Sequence, residues 1–196
     1  MFLIAFFSAV KPENCFWTRD RRLLLGDFGL TRKIERSLTP QMVTRWYRAP
    51  ELLLGSTNYS KGIDVFAIGV IAVEMMTGVP LFPGDTEVGQ LDMLLRFLRG
   101  PEADTDTSVE RSMDPEHPSA RRRRRILDAI LESKPRIVAT TAAHCPPAQQ
   151  KKIGPLLTSF IELLAMLMAW NPKSRPSANN AKDHAFFAQA HSLGCL

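Results

Sequence analysis

The sequence predicts a mainly helical domain with one small β-hairpin near its N-terminus, and three observations predict it. Residues 63–77 (IDVFAIGVIAVEMMT) are apolar on nearly every side, the pattern of a helix buried all round. Residues 155–170 read as a long amphipathic-to-buried helix that Asn171-Pro172 stops, as proline forces. Residues 15–17 and 22–25 are short stretches around the polar turn Thr18-Arg19-Asp20-Arg21, the signature of a hairpin.

The remaining elements follow in order. Residues 27–50, punctuated by Gly29, Pro40 and Pro50, read as a long ordered loop. Gly78 ends the buried helix, and Pro80 and Pro83 keep it from resuming. A shorter helix is expected over 88–98. From 100 to about 118 the composition turns to Asp, Glu, Thr, Ser and Pro, which predicts an exposed insertion extending to about 150. Within it a short helix is expected at 126–133. One last helix is expected over 176–189, with Ser177 near its start. No internal repeat is present.

At 196 residues, with 45% apolar and 23% charged residues, the chain suits one globular domain with a substantial core. Cys15, Cys145 and Cys195 are odd in number and far apart, so they give neither a disulfide framework nor a metal-site spacing. They favour a reducing, intracellular compartment, nucleus or cytoplasm. His117, His144, His184 and His191 form no ligand pattern and read as loop or surface residues. The net charge of +5 is modest. Five of the 25 basic residues sit in one run, 121–125, read either as a solvated cluster on the insertion or as a nuclear import signal. No nucleic-acid partner is expected from a single run. Residues 1–7 are apolar but short and lack a basic flank, and 65–76 falls well short of the ~20 residues a bilayer requires. No membrane association is expected.

Four patterns carry chemistry, and their order gives them specificity. They are Lys11-Pro12-Glu13-Asn14, Asp27-Phe28-Gly29, Trp46-Tyr47-Arg48-Ala49-Pro50-Glu51, and Asp64 with Gly69 on the buried helix. A carboxylate on a glycine turn (Asp27) and an amide oxygen at a loop end (Asn14) are hard ligands suited to Mg²⁺. The hairpin between them brings the two ends together. Lys11 adds a cation where a transferring phosphoryl group needs its charge stabilised. Taken singly, Asp27 is also what a turn uses as a cap, and Asn14 what a loop uses to satisfy its backbone.

With these patterns in this order, residues 10 to about 100 and 155 to 188 resemble the C-terminal lobe of protein Ser/Thr kinases. The run Met42-Val43-Thr44-Arg45 into Trp46–Glu51, and later Pro80-Leu81-Phe82-Pro83-Gly84-Asp85 with Gln90-Leu91, resembles the CMGC group of cyclin-dependent, CDK-like and MAP kinases. The resemblance implies a mainly α kinase C-lobe with a small β-hairpin, the N-lobe missing, and ATP and Mg²⁺ as cofactors. It makes Asp27 and Asn14 the metal- and cofactor-binding residues, Lys11 a contact to the γ-phosphate and substrate, and Thr44 a positioner of the substrate hydroxyl. Glu51 is implied to pair with Arg175, and Asp64 to be structural. Thr39 occupies the position of the activating phosphothreonine, with Arg32 as one partner of that phosphate. Gln41 stands where MAP kinases carry tyrosine. Arg48 is implied to lie beside the pocket for a substrate proline, hence proline-directed Ser/Thr transfer to a protein substrate. A cyclin or similar regulator is an implied partner.

The departures are specific. No Gly-rich loop, strand lysine or partner glutamate precedes residue 11. The family's His-Arg-Asp falls on Phe7-Ser8-Ala9, so Ala9 occupies the position of the catalytic base and Ser8 that of an arginine. Phe66 replaces a tryptophan. Residues 1–9 read as an apolar N-terminus outside the family pattern, and 10–196 as the lobe. The chain is therefore expected to be truncated and inactive alone; a pseudokinase-type binding module is the alternative.

Overall fold

A computed structural model of the chain describes residues 10–20, 22–26, 45–57, 59–99, 118–132 and 147–192. Two strands come first. Strand β1 (Cys15–Trp17) pairs antiparallel with β2 (Leu23–Leu25), Phe16 opposite Leu24. Thr18 closes the turn twice, its backbone N–H donating to Arg22 O at 2.9 Å and its Oγ accepting from Arg22 N at 3.0 Å. Phe16, Trp17, Leu23, Leu24 and Leu25 are all exposed, between 41% and 69%. Successive strand residues point to opposite faces, so neither face of this ribbon is covered by the described residues.

Helix α1 (Pro50–Leu53) is a single turn entered through Pro50, whose missing N–H costs nothing at a helix start. Helix α2 (Gly62–Thr77) is the hub, with Ile63, Val65, Phe66, Ala67, Gly69, Val70, Ile71 and Val73 buried. It ends where Gly78 takes φ 75°, a left-handed conformation, and donates its N–H to Glu74 O at 2.7 Å, the glycine stop that its lack of Cβ permits. The sequence pattern predicts burial all round, but one side stays open. Ile68 is 45% and Met75 72% exposed, and seven residues apart they share a helix face.

Helix α3 (Glu87–Leu94) begins at Thr86, whose side chain accepts from Gly89 N at 3.0 Å, a cap for one orphan amide. It runs into a π-helical segment, Leu95–Arg99. The expected single helix 88–98 is thus two segments with different hydrogen bonding.

Helix α4 (Pro118–Glu132) corrects the reading of the arginine run. Residues 121–125 are not a separate solvated stretch ahead of a short helix; they are its second turn. Arg122 is 4% exposed and donates to Ala165 O at 2.8 Å, while Arg125 donates to Phe97 O at 2.7 Å. Both acceptors lie in the last turn of a helical segment, where carbonyls have no partner within the helix. Cations there also oppose the helix dipole. Only part of the run faces water, with Arg124 paired to Asp128 at 3.1 Å. On the core side Ile126 and Ile130 are 0% and 1% exposed. This helix therefore belongs to the core, and the rest of the expected insertion, 100–117 and 133–146, lies outside the described residues.

Helix α5 (Pro147–Leu167) starts earlier than the expected Pro155, which sits inside it. Pro155 is exposed, the side on which a bend at proline is best tolerated. Helices α2 and α5 pack closely because Gly69 has no side chain: a Cβ there would stand 2.7 Å from Met168 Cγ and 3.1 Å from Leu167 Cβ. Phe66, Val70, Val73, Phe82, Leu94, Ile126, Leu164 and Met168 form the central cluster.

The final stretch is two helices, not one. Ser177 Oγ caps α6 (Ala178–Lys182), accepting from Asn180 N at 3.1 Å. The chain then breaks at Asp183-His184. His184 Nδ1 accepts from Phe186 N at 3.2 Å, opening α7 (Ala185–Ser192). Phe186 and Phe187 join Val65, Leu163 and Leu167 in a second cluster. No helix among the described residues is long and apolar enough to cross a membrane.

Candidate functional site

Lys11 immediately precedes a 3₁₀ turn, Pro12–Asn14. Asn14 is 4% exposed; its N–H donates to Lys11 O at 3.0 Å and its carbonyl accepts from Gly26 N at 2.9 Å. The hairpin therefore returns the chain to Asn14 at residue 26, one residue before Asp27. Beside Asn14, burial raises the Cys15 thiol above its ordinary value, with the Glu13 charge adding to it. Asp27, Arg32, Thr39 and Thr44, with Ala9, lie outside the described residues.

Described chain resumes at a second 3₁₀ turn, Arg45–Tyr47. Each residue from 45 to 48 is tied to a distant element. Arg45 Nη1 donates to Asp85 O at 2.8 Å. Trp46 O accepts from Gln90 Nε2 at 3.2 Å. Tyr47 OH donates to Glu74 Oε2 at 2.9 Å, and Arg48 Nη1 pairs with Glu87 Oε1 at 3.3 Å. Tyr47 is 6% exposed. Its burial, and then its hydrogen bond to the Glu74 carboxylate, push the phenol above its ordinary value. Burial lowers the Arg48 guanidinium below its usual range against the opposing pull of Glu87, and neighbouring Arg45 lowers it further. Arginine starts so high that Arg48 stays charged.

The turn is anchored at its far end by Glu51 and Arg175, which the fold brings together across 124 residues. The Arg175 side chain is 0% exposed and that of Glu51 11%. Arg175 donates from Nη1 and Nη2 to the two Glu51 carboxylate oxygens at 2.7 and 2.8 Å. Its other bonds go to Ala169 O at 2.7 Å, Gly62 O at 3.0 Å and Trp170 O at 3.2 Å. All five N–H groups of the guanidinium are used, and its cation also lies 5.0 Å from the centre of the Phe66 ring. The planar fork is what lets one side chain take a bidentate carboxylate and three carbonyls together. Asp64 lies in the first turn of α2, half-buried, two residues beyond the Gly62 carbonyl that Arg175 holds.

Sequence reasoning did not assign Tyr47, Glu74, Glu87 or Gln90 a role. Glu74 did carry a signal: it is the one charged residue in an apolar run from 65 to 76, and a lone carboxylate there needs a partner. Gln90 entered only as part of the Gln90-Leu91 pair that carries the family resemblance, and nothing local marked its side chain as buried, because an amide on a short helix reads as surface.

The family described as protein kinase domain matches residues 5–187. The chain is 37% identical over 178 residues to a probable serine/threonine-protein kinase KIN28 homolog of Encephalitozoon cuniculi, covering 91% of this chain and 50% of that protein. It is 34% identical over 187 residues to cell division control protein 2 homolog 1 of Trypanosoma brucei brucei, covering 91% and 57%. To the serine/threonine-protein kinase ICK of Rattus norvegicus it is 35% identical over 192 residues, covering 96% and 27%. The chain spans about half the length of the first two relatives. With its helical lobe, its hairpin and the anchored 45–51 turn, the chain belongs to the protein kinase family, and its relatives are CDK-like Ser/Thr kinases of the CMGC group.

Proposed function

We propose that this chain is the peptide-binding lobe of a proline-directed Ser/Thr protein kinase. The observation that supports it most is the fixed turn at residues 45–51. Ties at four consecutive residues, with the Glu51–Arg175 pair behind them, make a rigid wall suited to an extended peptide, with Arg48 facing the residue after the acceptor Ser or Thr. Thr44 directly precedes this wall and positions the acceptor hydroxyl. Thr39 is the position at which a phosphate would be added, with Arg32 as one of its partners. A protein substrate and a cyclin-like regulator are the partners, inside the cell in the nucleus or cytoplasm.

Protein kinases use ATP and Mg²⁺. The donor set would be the amide oxygen of Asn14 and the carboxylate of Asp27, both hard oxygens. That fits Mg²⁺, which is held by few protein ligands together with phosphates. ATP would supply the γ-phosphoryl group and the ion would offset its charge, with Lys11, beside the Asn14 turn, adding a further cation toward the phosphates. Ala9 provides no proton acceptor where the family has its base, a role typically worth ~10²–10⁴ in rate. We therefore read the chain alone as binding peptide without transferring phosphate. Ala9 and Ser8 also favour a second reading, a pseudokinase-type binding module with no catalytic parent.

The test is incubation of purified chain with labelled ATP, Mg²⁺ and peptides bearing Ser or Thr. No label should transfer, yet peptides with proline after the acceptor should be retained in preference. Label incorporation would contradict the role given to Ala9, and retention indifferent to proline would contradict the peptide assignment.

A further inference from the structure

Gln90 is a polar side chain with no exposure at all, in the first turn of α3, and nothing above explains why it is there. Burying an amide is costly unless both ends are bonded. Both are. Its Oε1 accepts from Gly84 N at 3.0 Å and its Nε2 donates to Trp46 O at 3.2 Å. The partners fix the amide orientation, since a backbone N–H can only face the oxygen and a carbonyl only the nitrogen. The fit around it has no slack: a Cβ on Gly84 would stand 2.5 Å from Gln90 Oε1 and 2.7 Å from its Cα.

The position matters because of what Gln90 joins. Of the ties that hold residues 45–48, three end in the short segment 85–90: Arg45 on Asp85, Arg48 on Glu87 and Trp46 on Gln90. Among these three only the Gln90 tie is buried from water at its own end; Glu87 is 55% exposed and screened. Gln90 also grips the Gly84 amide, so one side chain sets the distance between the 84–86 loop and the 45–48 turn.

We infer that Gln90 is a positioning residue for the peptide-facing turn, locking residues 45–48 against the 84–90 segment through its two-ended amide. The inference rests on the peptide-binding reading above. It acts through Trp46 and touches no peptide itself. Because the turn meets the peptide before any reaction, its loss should appear in peptide affinity.

Two substitutions separate positioning from general stability. Gln90→Met keeps the volume and removes both bonds. Gln90→Glu is conditional: a protonated carboxyl can accept from Gly84 N and donate O–H to Trp46 O, whereas a carboxylate cannot donate. Burial raises such a carboxyl, so the clamp of this variant should hold at low pH and fail as pH rises. Backbone hydrogen exchange at residues 45–49, normalised to wild type at each pH, is read together with the affinity for a fluorescent Ser-Pro peptide. For Gln90→Met, exchange should rise and affinity fall about five-fold or more at all pH values. Gln90→Glu should match wild type near about pH 6 and approach Gln90→Met near about pH 8.5. Ile130→Val, a core change in α4, should lose stability without altering exchange at 45–49. If Gln90→Met does not fold, the pH series of Gln90→Glu carries the test. Unchanged exchange at 45–49 in Gln90→Met, or a Gln90→Glu profile flat with pH, would overturn the inference. If wild type binds no Ser-Pro peptide, the peptide-binding reading fails, while the exchange data still decide the role of Gln90.

Discussion

Replacing Arg175 by alanine removes a cation that is fully enclosed and bonded on every N–H. The magnitude follows from what is left behind. The Glu51 carboxylate, 11% exposed at its side chain, loses both guanidinium bonds and the cation that compensates it. The carbonyls of Ala169, Gly62 and Trp170 lose a donor in the same step. One-sided removal of a buried pair costs ~3–5 kcal/mol, and for a chain of this size that corresponds to a fall of about 6–20 °C in Tm. Glu51→Gln is milder, because a neutral amide oxygen still accepts one bond and Arg175 keeps its three carbonyls; about 1.5–3 kcal/mol is expected. The double variant Glu51→Gln/Arg175→Met removes both charges of the pair, so its cost should be less than the sum of the two single changes. Urea unfolding followed by circular dichroism gives all the values, with constant m as the check on two-state behaviour. A loss below about 1 kcal/mol for Arg175→Ala, in the range of an exposed pair, would refute the claim that this pair anchors the 45–51 turn.

Three further outcomes follow from the same geometry. Arg122→Met, which keeps the stem but strips a buried carbonyl of its donor, should cost about 1–3 kcal/mol, whereas Arg124→Met, in an exposed pair, should cost under about 0.5 kcal/mol; urea midpoints separate them. Gly78→Ala places a Cβ at φ 75° and should lose about 1–2 kcal/mol, although nothing lies within 4 Å of that Cβ; an unchanged midpoint would show that the helix stop tolerates a side chain. Tyr47 has a raised phenol, so its contribution is complete below the ordinary tyrosine value of about 10 and is lost as pH climbs above it. Tyr47→Phe should therefore be less stable at neutral pH and lack that alkaline decline, as thermal scans across pH will show.

Much of this was legible because it is local. Residues 63–77 announce a buried helix by composition, and Gly78 announces its end. The hairpin shows in its polar turn. The ordered motifs gave Glu51 and Arg175 as partners only through resemblance, since nothing local links residues 124 apart. What stayed hidden depends on tertiary neighbours. A run of arginines predicts solvent until two helix ends at Phe97 and Ala165 offer carbonyls in need of donors. Pro155 looks like a helix start because proline favours that place, yet the helix begins at Pro147 and passes through it. The break at Asp183-His184 arises from a side-chain cap that no periodicity reveals. Gln90 and Tyr47 reach partners 44 and 27 residues away, beyond any pattern read along the chain.

The central claim is that the chain presents a formed peptide site, with Arg48 beside the residue after the acceptor. It is tested most directly by fluorescence anisotropy with two peptides that differ only in proline or alanine at that residue. The account predicts tighter binding of the proline peptide, by about ten-fold or more if one well-packed contact worth ~1–3 kcal/mol distinguishes them, with the preference reduced in Arg48→Ala. Equal binding of the two peptides by the wild-type chain would contradict it.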